Sequence, residues 1–259
     1  MKQVLQELEA LTRQFSKLTY FELLEGPGTR TDVDIMARGL SFFVLSFQDA
    51  LRLNAEKISD PTLCRIAAAQ RKDDAGHDLW FLNDLRRLGV EPDVGWLFGK
   101  AHQRTRDTSY EIISELYAAP DDYSRLVVAL VLEATGGVYF SRVYKFFSRL
   151  GLEEGLQFFA RSHWEAEQGH DVFALDVQAE LLDISLSEAS RRHALATAAR
   201  VFESIAAMCN HLSDRMLKAR ARQGFGLQRG DALASTASTR AQPALEGPSE
   251  SGGGRASSR

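Results

Sequence analysis

The chain has 259 residues, 44% of them hydrophobic and 25% charged, a composition that excludes fibrous, collagenous and wholly disordered proteins. A net charge of −4 speaks against a nucleic-acid partner, and no uninterrupted apolar run reaches the roughly 18 residues of a membrane span. Two cysteines, Cys64 and Cys209, cannot build a disulfide framework and fit a reducing, cytoplasmic setting.

In chain order, residues 2–16 carry Val4, Leu5, Leu8 and Leu11 at helical spacing and do not read as a signal peptide. Gly26-Pro27-Gly28 breaks the chain before a second helix, Asp32 to Lys57, striped by Ile35, Leu40, Phe43, Phe47 and Leu51. Asp60-Pro61 opens a third helix, an N-cap acid followed by proline at the first helical position, and Gly89 closes it. Further helices fit Trp96–Ala118, Asp121–Leu150, Leu152–Leu182 and, behind a Ser185-x-x-Glu188 capping box, Ser185–Ala221. No strand pattern of useful length occurs, so residues 1–222 are predicted to form an all-α domain of about seven helices. Residues 223–259 are rich in Gly, Ser, Ala, Thr and Pro, too poor in apolar side chains to offset the entropy of ordering, and read as a disordered tail. From Lys218 onward seven basic residues face three acidic ones, so the body is more acidic than the whole.

Two segments echo each other. Residues 70–82 contain Asp74-Ala-Gly76-His77-Asp78 and residues 163–175 contain Glu167-Gln-Gly169-His170-Asp171, at an offset of 93 positions. On a helix, residues i, i+3, i+4 and i+7 share a face. Asp74 and His77 therefore form a carboxylate-x-x-His pair of the kind that four-helix di-iron proteins use. His163, Glu167 and His170 stand on one stripe, and mixed imidazole and carboxylate ligands suit Fe(II), Mn(II) or Zn(II). One such pair on a helix is ordinarily a surface feature, but two matched copies suggest facing halves of a metal site. Asp73 and Asp78 are reserve acids, the latter better suited to orienting a ligand.

A bridging carboxylate should come from a separate apolar helix. Glu133 follows seven uncharged residues, Leu126 to Leu132, and a buried carboxylate is costly unless it is paired or binds a metal. Gly136 and Gly137, one turn on, would clear space beside it. Arg142, Lys145 and Arg149 form an i, i+3, i+7 stripe that reads either as a solvated face or, with Tyr139 and Tyr144, as a clamp for a substrate carboxylate. The pairs Phe42-Phe43, Phe146-Phe147 and Phe158-Phe159 fit core packing. His102, His193 and His211 have no partner at ligand spacing and read as ordinary residues.

These motifs resemble those of the haem-oxygenase-like di-iron oxidases and oxygenases, whose seven-helix fold is shared with the thiaminase and pyrroloquinoline-quinone-synthesis proteins. The likeness spans about residues 5–220. It rests on His163-x3-Glu167-x2-His170, on Glu133 thirty residues before it, and on His77 earlier still. Gln70 stands where many members place the first acid, and Asp74 supplies the acid that others place three residues before the histidine. The resemblance implies metal ligands Asp74, His77, Glu133, His163, Glu167 and His170, two ferrous ions, and O2 as co-substrate. It implies oxidation of a small molecule in specialised-metabolite biosynthesis, by N-oxygenation or by C–C or C–H cleavage, and often a homodimer. An amino-acid-like substrate bound by Tyr139, Arg142 and Lys145 fits if that stripe faces the pocket. No histidine precedes His77, so the proximal ligand of a haem oxygenase is missing, and Cys64 and Cys209 lie far from the acid-His motifs in sequence, unlike a thiaminase nucleophile. A metal-free ligand-binding or cofactor-maturation protein, and a helical interaction module, are the alternatives.

Overall fold

The computed structural model describes residues 1–168 and 175–238, and among them only helices and their connections occur. The helices are α1 (Lys2–Phe15), α2 (Thr19–Glu25), α3 (Arg30–Lys57), α4 (Pro61–Asp73), α5 (His77–Arg87), α6 (Val94–Leu97), a 3-10 turn (Lys100–His102), α7 (Gln103–Ala118), α8 (Asp122–Arg149), α9 (Arg161–Glu167), α10 (Leu175–Asp183) and α11 (Glu188–Ser238). Residues 239–259, most of the expected tail, lie outside the described residues. Met1–Leu217 forms one compact unit.

Local chemistry sets most boundaries. Asp60 accepts hydrogen bonds from the amides of Thr62 and Leu63, with Pro61 at the first helical position, as expected. Thr29 and Asp32 form a reciprocal capping box that starts α3 two residues earlier than its stripe indicates. Asp121 caps α8 through the Ser124 amide. The cap of α11 is Ser187, whose hydroxyl accepts from the Ser190 amide, and not Ser185. Two serines two residues apart offer the same cap, and the sequence alone does not separate them.

Three expected helices are shorter than their periodicity suggests. The third is broken at Asp74–Gly76: α4 ends, Gly76 adopts a left-handed φ of 91°, and α5 restarts at His77. Glycine takes that conformation without the clash a Cβ brings. Trp96–Ala118 is divided at Phe98 to His102, and its main helix begins at Gln103. The segment after Leu150 becomes helical only at Arg161, because Gly151 and Gly155 are both left-handed (φ 66° and 71°). The short α2, hidden between two breaks, is an addition. Tyr20, Phe21 and Leu24 of α2 are buried.

Two 28-residue helices form the centre. α3 packs on α4, α5, α7 and α8, while α8 packs on α1, α2, α4, α7 and α9. Leu126 to Leu132 of α8 are all buried, so this helix is apolar all round where other helices enclose it. By length and mean hydropathy α8 alone among the described helices could cross a membrane, and more than half of that window is buried inside the protein. Glu133 is the first charge after this run and is itself buried.

Candidate metal centre

The breaks in the helices converge on one place. α4 ends at Asp73 with Asp74 as its C-cap, α5 begins with His77, and α9, Arg161–Glu167, carries His163 and Glu167 on one face. All four side chains are buried. His77 Nδ1 lies 3.1 Å from Asp74 Oδ1 and 3.3 Å from His163 Nε2. Glu167 Oε1 lies 3.1 Å from His163 Nε2 and 3.9 Å from His77 Nδ1. One donor atom from each of His77, His163 and Glu167 falls within 4.8 Å of the others.

The shorter of those separations match adjacent ligands of one metal ion, and the 3.9 Å between His77 and Glu167 is wider. With bonds of about 2.1 Å to nitrogen or oxygen, adjacent ligand atoms stand about 3.0 Å apart in an octahedron and about 3.4 Å apart in a tetrahedron. The donor set, two imidazoles and one carboxylate, is of the mixed kind that suits Fe(II), Mn(II) or Zn(II). The protein also fixes one tautomer. His163 Nδ1 is 2.8 Å from the Phe158 carbonyl oxygen and donates to it, so Nε2 keeps its lone pair towards the cluster.

The Phe158 carbonyl is held in turn. Asp84, fully buried, accepts the amide of Gln157 at 2.8 Å on one oxygen and that of Phe159 at 2.9 Å on the other. Burial raises the Asp84 pKa, and the same backbone amides pull it back down. This residue was not singled out by sequence. The available signal was its position seven residues after His77, on the same helical face.

Glu133 lines the same cavity as Asp74, His77 and Glu167. Gln70, which replaces the acid expected there, donates its side-chain amide to Glu133 Oε2 and to the Ala129 carbonyl, each at 3.2 Å. Gln70 thus holds Glu133 instead of holding an ion. Asp78 also lines the cavity, whereas Asp73 does not. His170 and the rest of the second echo lie outside the described residues. Gly136 lines the cavity, and a Cβ there would come within 3.8 Å of Glu167 Oε2; one at Gly137 would meet open space. Crowding requires glycine at neither position, since a Cβ would meet only ordinary contact at Gly136 and open space at Gly137.

The basic stripe does not reach this cavity. Arg142 pairs with Glu25 at 2.9 Å and lies over the Phe21 ring, Arg149 bonds the Leu24 carbonyl, and Lys145 is exposed. Arg142 and Arg149 reach the end of α2 and the loop after it, so contacts between segments take the place of the expected carboxylate clamp. Tyr139 does line the cavity.

The cavity has a volume of about 100 Å3. Phe140, Phe158 and Trp80 surround His163, with ring centroids 4.0, 5.1 and 5.4 Å away, and Trp80 also packs on His77 at 4.6 Å. The adjacent phenylalanines divide as core pairs must: Phe43 and Phe158 line the cavity, while Phe42 meets Phe98 and Tyr110, and Phe159 stacks on Phe147 at 4.5 Å. Cys209, remote in sequence, lines the cavity too, and burial pushes its thiol up to about 12, so it is no nucleophile near neutral pH. Burial likewise raises the Tyr20 and Tyr139 pKa values well above the ordinary phenol range, keeping both hydroxyls protonated.

His102 sits apart from the cluster, buried against the Trp96 ring. Burial, then Arg215, Arg106, His211 and Arg38, lowers its pKa from 6.5 to about 4. A folded pKa below the unfolded one means the unfolded chain binds the extra proton first. Stability is therefore expected to fall as pH drops from 6.5 towards 4, and urea midpoints across that range should lose part of this slope in His102→Gln.

The chain matches no family model and no curated protein.

Proposed function

We propose that the chain is a non-haem iron oxidase or oxygenase that uses O2 to oxidise a small molecule held in the cavity. The observation that carries this reading is the group His77, His163 and Glu167, two imidazoles and a carboxylate with donor atoms within 4.8 Å, opening on a cavity with an apolar wall. Those three residues hold one ion, with Asp74 beside His77; Glu133 and, by the family resemblance, His170 complete a site for a second. Ferrous ions with open positions supply the O2 binding and oxidising power that protein side chains lack.

The chain's own residues do the rest. The Phe158 carbonyl orients His163, and Gln70 orients Glu133. Trp80, Phe140 and Phe158 keep bulk water from the imidazoles. An amino-acid-like substrate loses its main support here, because Arg142 is engaged with Glu25. Hydrogen abstraction with C–H or C–C cleavage suits the apolar wall better than N-oxygenation of a charged amine, and specialised-metabolite biosynthesis is the setting we propose for it.

Anaerobic ferrous loading tests the reading. We expect about one tightly bound iron per chain and a second, weaker one, with a visible absorbance change on exposure to O2. A folded protein that retains no iron would overturn the oxidase and favour the metal-free ligand-binding alternative on the same fold.

A further inference from the structure

The cavity has a largely apolar wall and offers an anion no partner. Six phenylalanines line it, and among its described lining residues there is no lysine or arginine. Asp74, Asp78, Glu133 and Glu167 contribute carboxyl groups to its wall, so no side chain there pairs with an anion. Most of the remaining polar side chains are already used by the protein: Gln48 donates to the Asp74 carbonyl at 2.6 Å and Thr135 to the Val131 carbonyl at 2.8 Å.

Two polar groups are not used. Tyr20 is fully buried, Tyr139 is half-buried, both line the cavity, and both hydroxyl oxygens are buried without a hydrogen-bond partner. The two phenols lie close enough to perturb each other's ionisation, and any hydrogen bond that they share leaves one hydroxyl hydrogen without an acceptor. A fold leaves a buried hydroxyl unsatisfied at a loss of stability, and two in one cavity wall call for a ligand atom. Tyr139 follows Glu133 by six residues, about 9 Å along the axis of α8.

We propose that this cavity binds an uncharged, largely apolar molecule whose single oxygen function, a hydroxyl or carbonyl, is hydrogen-bonded by Tyr20 and Tyr139. Where this molecule is the substrate of the oxidase, a step that rests on the reading above, the tyrosines hold its oxygen end. Carbons several bonds away then face His77 and Glu167, and oxidation falls remote from the oxygen.

The test is calorimetric titration of the metal-free full chain with 1-octanol and with octanoate. Octanol is expected to bind and octanoate to bind more weakly. Tyr20→Phe and Tyr139→Phe should each weaken octanol roughly fivefold, the effect of one hydrogen bond to a neutral group. Both substitutions should also raise the thermal midpoint, since each removes an unsatisfied hydroxyl; a purely structural tyrosine would lower it. Tighter binding of octanoate, no binding of octanol, or octanol affinity unchanged in the double Phe variant would each overturn the proposal. Because no metal is present, the titration is independent of iron loading. A chain that binds octanol but no iron keeps this site and loses the oxidase.

Discussion

His163→Ala is expected to weaken ferrous binding about a hundredfold or more, read by competition with a chelator. Losing the partners that merely orient a ligand already lowers affinity 10- to 100-fold, and His163 is itself a donor, at 3.3 Å from His77 Nδ1 and 3.1 Å from Glu167 Oε1. The substitution also empties space between Phe140, Phe158 and Trp80. That space provides an internal control. Added imidazole should occupy it and restore iron binding in His163→Ala, and a residue with only a packing role would show no such rescue of metal content. Unchanged iron affinity in the variant would remove the ligand assignment.

Asp84→Asn is expected to cost about 1–3 kcal/mol of stability and to weaken iron binding about tenfold without touching any ligand. An aspartate offers an acceptor to both the Gln157 and Phe159 amides, whereas an asparagine offers one and turns an N–H donor towards the other. The strained loop then misplaces the Phe158 carbonyl and, through it, the His163 ring. Asp84 also has a pH consequence. Its folded pKa is raised, so the native state holds the proton longer, and its contribution to stability is present below the unfolded pKa and lost as pH rises through the folded one. Asp84→Asn should abolish that part of the decline in denaturant midpoint on the acid side of neutrality. A metal affinity equal to that of the wild type would show that the loop does not position His163.

What the sequence revealed, and what it did not, follows from the range of each interaction. Helix class, the Asp60-Pro61 and Asp121 starts and the Gly89 stop depend on contacts within one turn, and these are as expected. The third helix looks continuous in the sequence because periodicity persists across Asp74–Gly76, while the break depends on one left-handed glycine. The acid-His motifs single out Asp74, His77, His163 and Glu167, which the fold buries side by side, since ligand-type residues at helical spacing carry their own signal. Arg142 had a regular stripe too, but which neighbour it met, Glu25 on α2, depended on a helix whose existence the pattern did not disclose. Tyr20 and Cys209 come to the site from distant segments, and only packing shows that.

The break at Gly76 has a mechanical consequence. Asp74 and His77 belong to different rigid segments, and His163 belongs to a third, so the cluster is a junction of three helix ends rather than a feature of one helix. An ion seated there closes a loop of 86 residues between His77 and His163. In entropic terms that is the closure a disulfide of the same span would provide, in a chain whose two cysteines are both free. Filling the site and clamping the bundle shut at that end are then one event, reversible wherever a disulfide would not be.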